Sequence, residues 1–173
     1  ELKQYAQYEL WLRRPKSCPN KLLTLALEHI QRMDISTANS LLLNLLHRYS
    51  NQTITVDELI GCIADLNSFV MRRTICGEST RPYSRWFPEA IKEIKNSPRE
   101  DLKGYWLRRG WPDDLLFREQ LHRFEIYRRE MKKARLILES LEGSFGHKEK
   151  VDMSTLEIEH VMPQSITESK NGK

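Results

Sequence analysis

The sequence predicts a mainly α fold: a multi-helix domain over residues 1–150, then a short strand opening a second, incomplete unit over 151–173. Three observations predict it. Apolar residues recur at steps of three and four as far as about Gly143, the period of helices with one buried face. Seven glycines and seven prolines in 173 residues are too few for a turn-rich β protein. Only past Gly143 and Gly146 does the pattern change, to a strand-like run at Leu156–Val161.

The elements follow in order. Tyr5, Tyr8, Trp11 and Leu12 sit at helical spacing in a first helix, from Glu1 to about Arg14, that Pro15 breaks. Past the Pro15–Asn20 loop, Leu22, Leu23, Leu25, Ala26, Leu27 and Ile30 mark a second helix. Ser36 begins a third, and its near-continuous leucines (Leu41, Leu42, Leu43, Leu45 and Leu46) predict a central, buried position. Asn51-Gln52 is a turn. Thr55-Val56-Asp57-Glu58 has the form of a capping box and opens a long helix that Gly77 closes. Val56, Leu59, Ile60, Ile63, Leu66 and Val70 make its single apolar stripe.

A polar link from Glu78 to Trp86 comes next, and Pro88 suits the first turn of a short helix with Ala90, Ile91 and Ile94. Ser97-Pro98-Arg99-Glu100 starts another, with a cap residue, a proline at the first position and a glutamate at the third. It runs to Gly110. Trp111-Pro112-Asp113-Asp114 then opens the last and longest helix. Its stripe of Phe117, Leu121, Phe124, Tyr127, Met131, Ala134, Leu138 and Leu141 is most simply a core-facing side, a dimer seam being the lesser use.

Composition narrows the function classes. A net charge of +4 and a pI near 9.0 permit nucleic-acid binding without requiring it. Cys18, Cys62 and Cys76 are odd in number and lack a C-x-x-C pair, so they read as reduced thiols of an intracellular, cytoplasmic protein. No apolar run approaches membrane-spanning length and no signal peptide is visible, which predicts no membrane partner. The chain opens at Glu1 inside a helical pattern without an initiator methionine, as expected of a piece taken from a longer protein.

The chemistry concentrates in Leu156-Glu157-Ile158-Glu159-His160-Val161-Met162-Pro163-Gln164-Ser165. Cutting a phosphodiester requires a base that takes a proton from water and a cation that stabilises charge on the phosphate and the leaving oxygen. Histidine is the side chain best placed to be an unprotonated base near neutral pH, and a carboxylate is the hard oxygen ligand that Mg2+ prefers. Glu159 and His160 supply one of each. Neighbours on a regular strand point to opposite faces, so both serve one site only where the backbone bends. Alternatively, Glu157 and Glu159 share a face and one of them buttresses the site.

Glu159-His160-Val161-Met162-Pro163-Gln164-Ser165 resembles the opening of the HNH, or His-Me finger, nuclease motif, which lies on the first strand of a ββα-metal fold. The stretch before it is similar to the GmrSD type of modification-dependent (type IV) restriction endonuclease. Arg72-Arg73-Thr74-Ile75-Cys76-Gly77 after a long helix carries that similarity. So do Trp111-Pro112-Asp113-Asp114 with Phe117 and Tyr127, and Leu138-Glu139-Ser140-Leu141-Glu142. The resemblance implies a metal-dependent endonuclease of a phage-defence system that cuts modified double-stranded DNA. His160 would be the general base and Glu159 the acidic ligand of Mg2+ or a similar divalent cation. It also implies an upstream NTP-hydrolysing domain or subunit. The later asparagine and final histidine or asparagine of the motif find no match before Lys173, so the site is incomplete here and the fragment alone is expected to be inactive. Glu159 also stands where many members of the wider superfamily carry aspartate, which weakens the ligand role relative to the base.

Other features have plainer readings beside the functional one. Arg128, Arg129, Lys132, Lys133 and Arg135 form a candidate DNA contact, but Glu119, Glu125, Glu130 and Glu139 interleave as on a solvated helix face. Arg72-Arg73 is expected to anchor the polar loop that follows it onto the helices. Trp86, Trp106 and Trp111 are expected to anchor short helices in the core rather than stack on bases. His29, His47, His122 and His147 lack partners at metal spacing. The second functional class is a non-catalytic helical adaptor that couples an upstream NTPase domain to its partners.

Overall fold

Cap chemistry and prolines place most of the helix ends. The computed structural model describes residues 2–125 and 131–145, with Met131 and Lys132 as backbone only. Over the described residues the chain forms eight α-helices and no strand. The strand expected at Leu156–Val161, and with it the whole 151–173 unit, lies outside them.

Helix α1 spans Leu2–Arg13 and ends before Pro15, which starts a single 3-10 turn at Pro15–Ser17. Helix α2, Lys21–Arg32, is capped by Asn20, whose side-chain oxygen accepts the Leu23 N–H at 3.1 Å. After a 3-10 turn at Ser36–Ala38, α3 (Asn39–Ser50) buries Leu41, Leu42, Leu45 and Leu46, the central position its leucines predict. The turn at Asn51-Gln52 is present, with Gln52 left-handed at φ 58°. Helix α4 spans Val56–Ile75. Thr55 Oγ1 accepts the Glu58 N–H at 3.1 Å, and Gly77 follows its end at φ +74°.

The fold departs from the sequence expectation at four places. First, α4 carries more than one stripe. It buries Leu59, Gly61, Cys62, Ile63, Leu66, Phe69, Val70 and even Arg73, while Val56 and Ile60 are half-buried. Neighbours on several sides cause this, since α4 packs on α2 and α3 and on the helices that follow.

Second, α5 spans Tyr83–Glu93, so the polar link ends by Pro82 and Pro88 lies inside the helix. Tyr83, Phe87 and Ala90, at steps of four and three, bury one face. Pro88 and Ser84 are exposed, so the missing N–H falls on the solvent side, where water can satisfy the freed carbonyl.

Third, α6 (Pro98–Arg108) has proline at its first position but no cap bond from the Ser97 side chain. Asp101 supplies the carboxylate from within the helix instead. Its Oδ2 accepts the N–H groups of Lys95 at 2.8 Å and Ser97 at 3.3 Å. The helix ends at Arg108, and Gly110, left-handed at φ +79°, follows its cap residue Arg109 as the expected stop.

Fourth, the expected last and longest helix is divided. Helix α7 spans Asp114–Leu121, turns follow at His122–Arg123, and α8 spans Met131–Ser144; at 20 residues α4 is the longest described. The end of α7 tightens into three-residue hydrogen bonds, Arg123 N–H to the Gln120 carbonyl and Phe124 N–H to the Leu121 carbonyl. No residue of α7 is buried, so its apolar spacing finds no core face to extend along.

The core lies around the middle of α4. Phe69 stacks on Trp106 of α6 at 4.8 Å, and Trp106 meets Phe87 of α5 edge-on at 5.8 Å. Gly61 lets α6 approach: a Cβ there would meet Arg99 Cδ at 2.8 Å, where that side chain crosses to pair with Asp65 at 2.9 Å. Trp106 is fully buried and Trp86 and Trp111 are half-buried against the core, as their anchoring role requires. Replacing the Trp106 ring by a methyl group should lower stability by about 3–5 kcal/mol. Urea titration of Trp106→Ala by circular dichroism checks this, and a shift of under about 1 kcal/mol would mean that the aromatic contact does not hold α4 to α6.

Candidate functional site

The last turn of α4 delivers two adjacent arginines to different places. Arg73 is only 4% exposed, so its charge must be met inside the protein. Nη1 donates to the carbonyls of Arg109 at 3.1 Å and Gly110 at 3.2 Å, and Nη2 to Glu78 Oε2 at 3.3 Å and the Ser79 carbonyl at 3.4 Å. The guanidinium also faces the rings of Trp86, Phe69 and Tyr83 at 5.1 to 5.9 Å. Burial raises the pKa of the Tyr83 hydroxyl against the opposing pull of Arg73. Beside it Arg109 pairs with Glu89 at 3.0 Å and lies over Tyr105 and Trp86.

Arg72 turns the other way. Nη1 donates to the Pro112 carbonyl at 3.0 Å, Nη2 to Asp114 Oδ1 at 2.5 Å, and the group sits 4.9 Å over the Phe117 ring. Only Arg73 anchors the polar loop as the sequence predicts; Arg72 reaches the start of α7 instead. Pro112, Asp114 and Phe117 as receivers of Arg72 are the functional contacts that sequence reasoning missed. The signal was present, because Arg72-Arg73 and Trp111–Asp114 are both stretches singled out for their resemblance, and the fold brings them into contact.

Helix α8 docks on α2. Ala134 and Leu136 are buried, while Leu121, Leu138 and Leu141 are at least 38% exposed. Of the predicted core-facing stripe Ala134 is buried as expected, Leu121, Leu138 and Leu141 are not, and Leu136 beside the stripe is buried instead. Arg32 of α2 and Arg135 both donate to Glu139, the latter at 3.0 Å. The Arg32 hydrogen bond, joined by that of Arg135, holds the Glu139 carboxyl below the usual glutamate range despite partial desolvation. Burial, aided by Arg32, lowers the pKa of His29 nearby.

Of the predicted site residues, Glu159, His160, Arg128 and Arg129 lie outside the described residues. Lys132 belongs to α8, and Lys133 is half-buried on the same helix. Arg135 of the same basic set is engaged by Glu139. Among the described residues, no group of three or more His, Cys, Asp or Glu side chains could hold a metal ion, and no helix is long and apolar enough to cross a membrane. Burial pushes the Cys62 thiol up to about 12 and raises that of Cys76, which leaves both poor nucleophiles at neutral pH.

Residues 111–173 match the GmrSD restriction endonucleases, C-terminal domain. This segment is similar to that family's C-terminal domain, and the match covers the last third of the chain. No curated protein and no solved structure matches the chain. The matched family is named for restriction endonucleases, enzymes that act on DNA. The segment begins one residue past Gly110 and takes in α7, α8 and the Glu159-His160 pair. Arg72 and Arg73 thus hold its first residues and the turn just before it.

The seat of α8 should be acid-labile. Glu139 has a depressed folded pKa, so its contribution is complete above the ordinary glutamate value, ~4.3, and is lost as pH falls through the lower folded value. His29 is also depressed, so folding begins to lose stability as pH drops below ~6.5. Both act in the same direction. With Arg32 about a third exposed, Arg32→Ala should cost about 1 kcal/mol at pH 7. Thermal melts of both proteins at pH 7, 5 and 3 should show that gap closing at the acid end, whereas a constant gap would remove Glu139 as its source.

Proposed function

We propose that this chain is the helical and nuclease-entry portion of a cytoplasmic, metal-dependent restriction endonuclease that cuts modified foreign DNA. The observation that carries the reading is the GmrSD match over 111–173, within which the adjacent Glu159 and His160 fall. His160 acts as general base and takes the proton of the attacking water. Glu159 belongs to the ligand set of Mg2+ or a similar divalent cation, whose chemistry is to stabilise charge on the phosphate and the leaving oxygen. The helical body connects this site to an NTP-hydrolysing domain or subunit.

Arg128, Arg129, Lys132 and Lys133 supply non-specific contact with the phosphate backbone. The net charge of +4 supports attraction to DNA but gives no sequence preference. Replacing Lys132 and Lys133 by alanine should weaken DNA binding alike for all sequences. It should also lower the salt slope of log K by about 1 for each phosphate that is no longer neutralised. Anisotropy titrations at several salt concentrations measure this, and an unchanged slope would take the two lysines out of the interface.

The deciding test is Mg2+-dependent cleavage of modified and unmodified phage DNA by the complete protein and its His160→Ala variant, with nucleotide present. His160→Ala should reduce cutting about 10²- to 10⁴-fold with folding intact. Undiminished cutting would take the nuclease assignment away from this motif and favour a non-catalytic helical adaptor.

A further inference from the structure

Helix α7 presents a physical problem. An isolated helix of eight residues is unstable in water, and this one buries none of its side chains. Leu115 is 68% exposed, Leu116 41% and Leu121 38%. At its far end an open cleft of about 270 Å³ separates Gln120, Arg123 and Phe124 from Ile75, Cys76 and Gly77 at the end of α4. Apolar burial does not hold α7 in place.

Its near end is held by polar contacts. Asp113 caps the helix by accepting the Leu116 N–H at 2.8 Å. Arg72 then grips three points within six residues: the Pro112 carbonyl, the Asp114 carboxylate and the face of Phe117. A planar guanidinium can donate through two nitrogens while its face stays on a ring, which a lysine ammonium cannot do. The chain leading into α7 is already fixed, since Arg73 binds the Arg109 and Gly110 carbonyls and the Trp111 N–H donates to the Trp106 carbonyl at 3.1 Å. The direction in which α7 leaves the body therefore depends on Arg72. All three of its partners belong to the GmrSD segment.

We propose that Arg72 is the positioning residue that orients the GmrSD segment on the helical body, through a seat made of one ion pair, one carbonyl bond and one cation–π contact. Asp114 is 85% exposed at its side chain, so the seat responds to ionic strength. The partners of Arg72 are all within the chain: Pro112, Asp114 and Phe117. Arg72 acts by setting where α7, and the chain beyond it, leaves the body. The effect on cleavage rests on the nuclease reading above, whereas the effect on α7 does not.

The test is a double-mutant cycle of Arg72→Ala and Asp114→Ala in the 173-residue chain, read by amide exchange. Arg72→Ala should speed exchange of the α7 amides about tenfold, the order expected for loss of a charge-assisted hydrogen bond. Protection of Leu59–Val70 in α4 should be unchanged, which shows the body intact. Asp114→Ala added to Arg72→Ala should add less than it does alone. Raising salt to about 0.5 M should speed α7 exchange in the unsubstituted chain and leave Arg72→Ala unaffected. Arg72→Lys should fall between the two.

In the complete protein, Arg72→Ala should lower kcat for DNA cleavage with KM little changed, and Arg72→Lys should recover part of it. Equal, additive effects of the two alanines, salt-independent exchange, or unaltered α7 protection would overturn the proposal. If His160→Ala left cleavage intact, the nuclease assignment would fail while the exchange result would still decide the role of Arg72.

Discussion

A guanidinium almost closed off from water needs its acceptors at hand, and Arg73 finds them in three parts of the chain. The end of α6, the loop after α4 and a wall of aromatic rings all converge on it. Desolvating a charge costs several kcal/mol unless its donors find acceptors; here both terminal nitrogens do, and Nε alone is left without one. The positions of Gly110, Ser79 and Trp86 are thereby tied to one side chain. The Phe69–Trp106 stack lies directly under this group, so the apolar core and the polar joint are built on the same turn of α4. Arg72, one residue earlier, comes out on the adjoining face and meets the start of the next unit.

Most of the helical order could be read because its signals are local. Asn51-Gln52, Thr55 with Glu58, Gly77 and Gly110 act within a few residues of themselves, and each marks the boundary it predicts. Failures occurred where tertiary contacts outweighed local preference. Pro88 reads as a helix start, yet the buried step Tyr83, Phe87 and Ala90 carries the helix through it. Asp101 takes the capping role that Ser97 advertises, because its carboxylate reaches back to two N–H groups. The single long helix from Asp114 was inferred from spacing alone. Spacing records which residues would share a face and carries no information on whether a core waits there.

The candidate site was legible in a different sense. Glu159 and His160 carry chemistry by residue type, and the segment around them matches the GmrSD C-terminal domain. Arg72 could be seen as part of a shared stretch but not as a partner of Asp114, because 42 residues separate them. Contacts of that range have no local signature. Arg32 and Glu139 likewise meet across 107 residues and seat α8 on α2. The GmrSD-like segment thus rests on the body at two arginine–acid contacts and at the buried Ala134 and Leu136, the latter part of the same core as the preceding helices.

Gly110 makes the joint a ruler. Its φ of +79° is one that side-chain-bearing residues rarely adopt, and a Cβ there would lie 3.4 Å from Arg73 Nη1. The turn is therefore held at a fixed point by its backbone and by the arginine beneath it. From that point Asp114 must fall within reach of Arg72, only four residues on. Loops elsewhere on a protein surface absorb insertions readily, but here one added residue would carry Asp114 past its partner and rotate α7 away. The length of this connector is as much a part of the molecule's specification as the residues in it.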